Sequence, residues 1–122
     1  MEDMRLGAVE SRFADIIWQN EPLLSRELVA LCQEQLNWKK PTTYTVLRKL
    51  CERGIFQNEN GMVTSKISRE QFYAMQSEQF VETAFSGSLP AFLAAFSSRK
   101  ALTKEEVDQL RSMIDDFEKG QL

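Results

Sequence analysis

The chain has 122 residues, 15 Lys+Arg against 18 Asp+Glu, no histidine and two cysteines, for a formal net charge of −3. That length suits one ordinary domain or a small domain with an appendage, and it buries roughly two thirds of the surface exposed when unfolded. No basic segment followed by an apolar stretch marks a signal peptide, and the longest apolar run, Ala91 to Phe96, is far too short to span a membrane, so a cytoplasmic location without membrane insertion is expected.

The first predicted helix runs from Gly7 to Asn20, with Val9, Phe13, Ile16 and Ile17 on one stripe and Trp18 extending it. Glu21-Pro22 ends it, because proline disfavours helical geometry in the residue before it. Ser25 is the expected N-cap of a second helix reaching about Leu36. Its capping box is half-made, since Leu28 stands where Glu or Gln would reach back.

Pro41 opens the third helix in its first turn, where a missing N–H costs nothing. Thr43, Val46, Leu47 and Leu50 line one side of that helix, and Thr42, Tyr44, Thr45, Arg48 and Lys49 point elsewhere. Such a helix is pinned to a core while offering donors and acceptors outward, as a major-groove reader must. Gly54 stops it. Cys32 and Cys51 sit among leucines in these helices, with no CxxC, so they are read as small buried hydrophobes, with a redox switch as the alternative. Neither a metal site nor a cofactor is expected.

Two short strands, Ile55 to Glu59 and Met62 to Ile67, flank Asn60-Gly61, a dipeptide suited to the positive φ angles of a tight hairpin. Three helices followed by a hairpin is the order of a winged helix–turn–helix, in which the third helix reads the groove and the hairpin lies beside it. The charge agrees. Residues 1–37 carry three cations and seven anions, whereas residues 38–53 carry five cations and one anion. A basic face confined to one helix is the electrostatic mark of a nucleic-acid binder even in an acidic protein.

From Ser68, which pairs with Gln71 as a capping box, the chain is helical again. Gly87 interrupts, Ser88-Leu89-Pro90 begins a helix with almost no polar face, and Thr103 with Glu106 caps a last helix bearing Val107, Leu110, Ile114 and Phe117. An all-round apolar helix must be covered. A second copy of the chain is the expected cover, through Phe80, Phe85, Leu89, Phe92, Leu93, Phe96, Val107, Leu110, Ile114 and Phe117. Folding back onto the winged domain of the same chain is the alternative. The fold class expected is therefore mainly α with a small β-hairpin wing: a winged helix–turn–helix over residues 1–68 and dimerisation helices over residues 69–122.

Leu6, Glu10 and Trp18, then Trp38, the series Thr42, Thr45, Leu47, Leu50 and Gly54, and Gly87-Ser88-Leu89 resemble the BlaI/MecI/CopY family of penicillinase, methicillin-resistance and copper-responsive repressors. The resemblance covers about Leu6 to Phe117. It implies a homodimeric repressor of antibiotic-resistance or related stress genes that binds an inverted-repeat operator in double-stranded DNA. Carried over by position, the groove-reading face falls on Pro41, Thr42, Tyr44, Thr45 and Lys49. Lys39, Lys40, Arg48, Lys66 and Arg26 are then expected on phosphates, with Ser25 and the N-terminus of the second helix donating to another. The chain ends without the cysteine cluster of the copper-responsive members, which argues against copper sensing by that route. Penicillinase-type members are inactivated by cleavage at an Asn-Phe bond, and the matching pair here is Ala95-Phe96. The resemblance therefore implies a membrane sensor protease as a possible partner in induction.

Two rival readings remain. A winged domain also serves as a protein–protein module without DNA binding, whose mark would be an exposed apolar face on the third helix. An enzyme is disfavoured, because with no histidine and no glycine-rich phosphate loop no residue takes the role of nucleophile or base.

Overall fold

The computed structural model describes residues 5–120. Two compact units divide the chain after Gln79. In chain order the elements are α1 (Ala8–Asn20), β1 (Leu23–Leu24), α2 (Ser25–Leu36), α3 (Lys40–Glu52), β2 (Phe56–Glu59), β3 (Met62–Ser65), α4 (Arg69–Phe85), α5 (Leu89–Arg99) and α6 (Lys104–Glu118).

In the first unit the predicted helices stand within a residue of expectation, and their ends explain the shifts. Glu10 Oε1 accepts from the Gly7 N–H at 3.1 Å and caps α1. The cap of α2 differs from expectation. Leu24, not Ser25, is the N-cap residue, and Glu27 reaches back to accept its N–H at 2.8 Å. Half of a capping box is thus present, the N3 carboxylate on the N-cap N–H, while Leu24 supplies no side-chain oxygen for the other half. Asn37 ends α2 in the left-handed region.

The hairpin forms as predicted, with Asn60 and Gly61 at φ +52° and +85° and β2 antiparallel to β3 from Phe56↔Ser65 to Glu59↔Met62. A third strand joins it. β1 pairs Leu23 with Val63 and Leu24 with Met62, giving the order β1-β3-β2. Phe13, Ile17, Leu28, Leu50, Ile55, Phe56, Val63 and Phe72 fill the core beneath this sheet and the helices. The arrangement is a winged helix.

Trp18 ties three parts of this unit together. Its indole N–H donates to the Ile67 carbonyl at 3.0 Å, and its ring meets Phe56, Phe72 and Tyr73 at centroid distances of 5.3, 5.7 and 6.2 Å. The start of α4 is held the same way: Ser68 and Gln71 cap it reciprocally at 3.0 Å, and Arg69 bonds Asp15 at 3.0 Å while lying 4.7 Å from the Tyr73 ring centroid.

The second unit is built of short helices around phenylalanines. After Phe85, Ser86 and Gly87 turn the chain at positive φ, and Gly87 N–H returns to the Val81 carbonyl at 3.1 Å. Ser88 Oγ accepts from Ala91 N–H to cap α5. Thr103 and Glu106 form the full capping box of α6, at 3.0 and 2.9 Å. Those hydrogen bonds from Thr103 hold the Glu106 carboxyl below its usual range. Phe80, Phe85 and Phe92 meet edge to face, with centroids 5.7–6.3 Å apart. Neither α5 nor α6 contains a buried residue. Leu89, Ile114 and Phe117 remain 63, 56 and 60 % exposed, beside the exposed Phe80, Phe96 and Met113. Among the described residues no single helix is long and apolar enough to cross a membrane.

Candidate nucleic-acid interface

The link from α2 to α3 sets the direction of the third helix. Trp38 N–H returns to the Cys32 carbonyl at 3.2 Å, and the Trp38 ring stacks on buried Phe13 at 5.4 Å and 28°. From there α3 divides by face. Thr43, Leu47 and Leu50 are buried, whereas Lys39, Lys40, Pro41, Thr42, Thr45, Arg48 and Lys49 are exposed and Val46 is half-buried. Three- and four-residue spacing alone produces this division.

Every cation assigned to DNA from the sequence lies at the surface: Arg26 on α2, Lys39 and Lys40 at the start of α3, Arg48 and Lys49 along it, and Lys66 just past β3. Among the described residues none of the six forms an ion pair within the protein. Arg53, the other cation of the positive segment, differs: it donates to the Arg5 carbonyl at 2.8 Å and is used within the fold. Side chains left uncompensated in an acidic protein are available to an external anion.

Two of the hydroxyls are committed. Thr45 Oγ1 donates to the Pro41 carbonyl at 2.9 Å, so its oxygen is left as an acceptor. Tyr44 is half-buried and its hydroxyl donates to Ser25 Oγ at 3.1 Å. Thr42 has an exposed side chain.

A shallow pocket of about 220 Å³ lies between α3 and β2, lined by Tyr44, Leu47, Arg48, Cys51 and Asn58. Burial raises the Cys51 thiol pKa, partly opposed by Lys66 and reinforced by Glu52. Burial raises that of Cys32 too, partly offset by the Thr43 side chain. Thiols held protonated are poor nucleophiles. Iodoacetamide at pH 7 is therefore expected to alkylate both cysteines more slowly than free cysteine, and to reach both once guanidinium unfolds the chain. Cys51 reacting faster than free cysteine in the folded protein would restore the redox-switch reading.

A family model described as penicillinase repressor matches residues 6–116 of the chain. The chain belongs to the penicillinase repressor family. It is accordingly a transcriptional repressor, in a family of regulators rather than enzymes. The methicillin resistance regulatory protein MecI of Staphylococcus aureus (strain Mu50 / ATCC 700699) is 19% identical over 114 residues, covering 90% of this chain and 93% of the relative. The protein of the same name from Mammaliicoccus sciuri is 18% identical over 114 residues, with the same coverage.

Several contacts of this penicillinase repressor family member carried no sequence signal. Ser65 donates its N–H and its hydroxyl to the Glu21 carboxylate, all at 2.8 Å, fastening β3 to the end of α1. Ser25 N–H donates to the Gly61 carbonyl at 2.7 Å, tying the turn of the wing to the start of α2. These partners are distant in sequence, and each is a common polar residue with many possible neighbours.

Proposed function

We propose that this repressor acts by binding an inverted-repeat operator as a homodimer, with α3 of each protomer in the major groove. One observation carries the reading: an acidic protein leaves Lys39, Lys40, Arg48 and Lys49 exposed and, among the described residues, without an ion pair, on a helix whose other face is buried in the core. Lys39, Lys40, Arg48, Lys66 and Arg26 contact phosphates and set register, and Ser25 adds its hydroxyl, its backbone N–H being held by the Gly61 carbonyl. Pro41, Thr42, Thr45 and Lys49 lie against base edges, Thr45 through its acceptor oxygen.

The exposed side chains of α5 and α6, with Phe80, form the face that a second protomer covers, each buried large side chain contributing roughly 1.5–3 kcal/mol. Two-fold pairing places the two reading helices about one or two DNA turns apart and demands a palindromic site. Repression is steric: the bound dimer occupies the promoter. Ala95 and Phe96 are both exposed on α5 in the protomer. Scission there by a membrane sensor protease would part Phe92 and Leu93 from α6 and so break the pairing face.

The rival protein-docking reading needs an exposed apolar surface on α3. The only large ring there is Tyr44, which is half-buried and engaged with Ser25.

Alanine substitutions separate the roles within α3. Lys49→Ala is expected to relax base preference, weakening the operator by about 1–3 kcal/mol while barely changing random DNA. Lys40→Ala weakens both alike and lowers the salt slope by about one. Anisotropy titrations at several salt concentrations read both effects. Equal loss on operator and random DNA for Lys49→Ala would contradict its assignment to a base edge.

A further inference from the structure

The start of α2, the middle of α3 and the turn of the wing meet at one residue. Ser25 gives its backbone N–H to the Gly61 carbonyl at 2.7 Å and its side-chain oxygen accepts from the Tyr44 hydroxyl at 3.1 Å. Gly61, at φ +85°, stands where a side chain would strain the backbone. An added Cβ there would lie 3.9 Å from Ser25 Oγ, an ordinary van der Waals contact, so it is the backbone angle and not space that calls for glycine.

We propose that Tyr44 is a positioning residue for DNA binding, holding Ser25 so that the wing, the N-terminus of α2 and the reading helix keep one fixed geometry. The inference rests on the DNA-binding reading above and gives Tyr44, which the family resemblance placed on the groove-reading face, the part of a brace beneath the readers. Tyr44 is half-buried, whereas Thr42, Thr45 and Lys49 of the same helix are exposed. Its hydroxyl proton is already committed inside the protein, at an atom of another element rather than of its own helix. By donating to Ser25 Oγ, it also leaves the Ser25 proton free to be given outward. A hydroxyl at the first residue of a helix can then donate to a phosphate while the Ser25 N–H stays with the wing. Bracing matters because phosphate contacts on two elements count together only if those elements keep their spacing.

A double-mutant cycle on Tyr44→Phe and Ser25→Ala tests this, read by anisotropy on a duplex carrying the inverted repeat upstream of the gene and on a scrambled duplex. Each single variant should bind both duplexes about two- to tenfold more weakly, the range for losing one hydrogen bond. The double variant should bind no more weakly than the worse single variant. Ser25→Thr, which keeps a hydroxyl, should restore most of the affinity. Losses that multiply, or a Tyr44→Phe loss confined to one base position of the operator, would overturn the proposal, because Tyr44 would then touch DNA independently.

A second measurement needs no DNA. Hydrogen exchange at the Ser25 amide, whose N–H is held by Gly61, should speed up in Tyr44→Phe by more than it does at the core amides of α1, which report global stability. Unchanged exchange would overturn the three-way tie. If the wild-type protein bound neither duplex, the DNA-binding reading alone would fall, and exchange would still decide whether Tyr44 braces the wing.

Discussion

Protein carrying Leu89→Asp together with Ile114→Asp is expected to sediment as a monomer at micromolar concentration and to bind the operator about 10²–10⁴-fold more weakly than the wild type. Both side chains are more than half exposed in the protomer, at 63 and 56 %, so replacing them costs the protomer little. In a dimer they would be buried, and a carboxylate there would lose its water without gaining a partner. The loss of DNA affinity follows from the loss of pairing. On the proposed reading one protomer engages one half-site, and linking two such modules gains about 10²–10⁴ without any new contact. Sedimentation velocity and anisotropy on one preparation check the two halves separately. A variant that remains dimeric would show that this face is not the pairing surface. A monomeric variant with unchanged operator affinity would show that pairing is not needed for recognition.

Phe13→Ala is expected to destabilise the first unit by about 3–5 kcal/mol, the range for emptying a buried phenylalanine site. Phe13 is fully buried on α1 and stacks on Trp38, the residue that leads into α3. Natural domains are stable by only about 5–15 kcal/mol, so the variant loses a large part of its stability. Guanidinium unfolding followed by tryptophan fluorescence measures the change. A shift below about 1 kcal/mol would mean that the Phe13–Trp38 stack does not anchor α3 as described. DNA binding should fall in step with the folded fraction, since Phe13 itself touches no nucleic acid in this account.

How much of this was legible beforehand depends on how local each signal is. The two faces of α3 could be read because burial of Thr43, Leu47 and Leu50 follows from helical spacing within one segment. The hairpin could be read because Asn60-Gly61 supplies both positive φ angles in adjacent residues. The boxes at Ser68–Gln71 and Thr103–Glu106 join residues three apart and were equally plain. β1 was not legible: two leucines have no periodicity, and what makes them a strand is Val63 and Met62 some forty positions later. The start of α2 was misread by one residue because Leu24 has no capping side chain, its N–H being satisfied by Glu27 from within the helix. The engagement of Tyr44 escaped for the same reason as β1. Ser25 lies 19 residues away, and nothing in either segment names the other.

The most direct test of the repressor reading is fluorescence anisotropy of the wild-type chain on the inverted repeat upstream of its own gene and on scrambled DNA, each at two salt concentrations. The account predicts tight binding that strongly prefers the palindrome, weakens steeply with salt and saturates at two chains per site. Absence of measurable binding to either duplex near physiological salt would contradict it and return the exposed face of α3 to a protein partner.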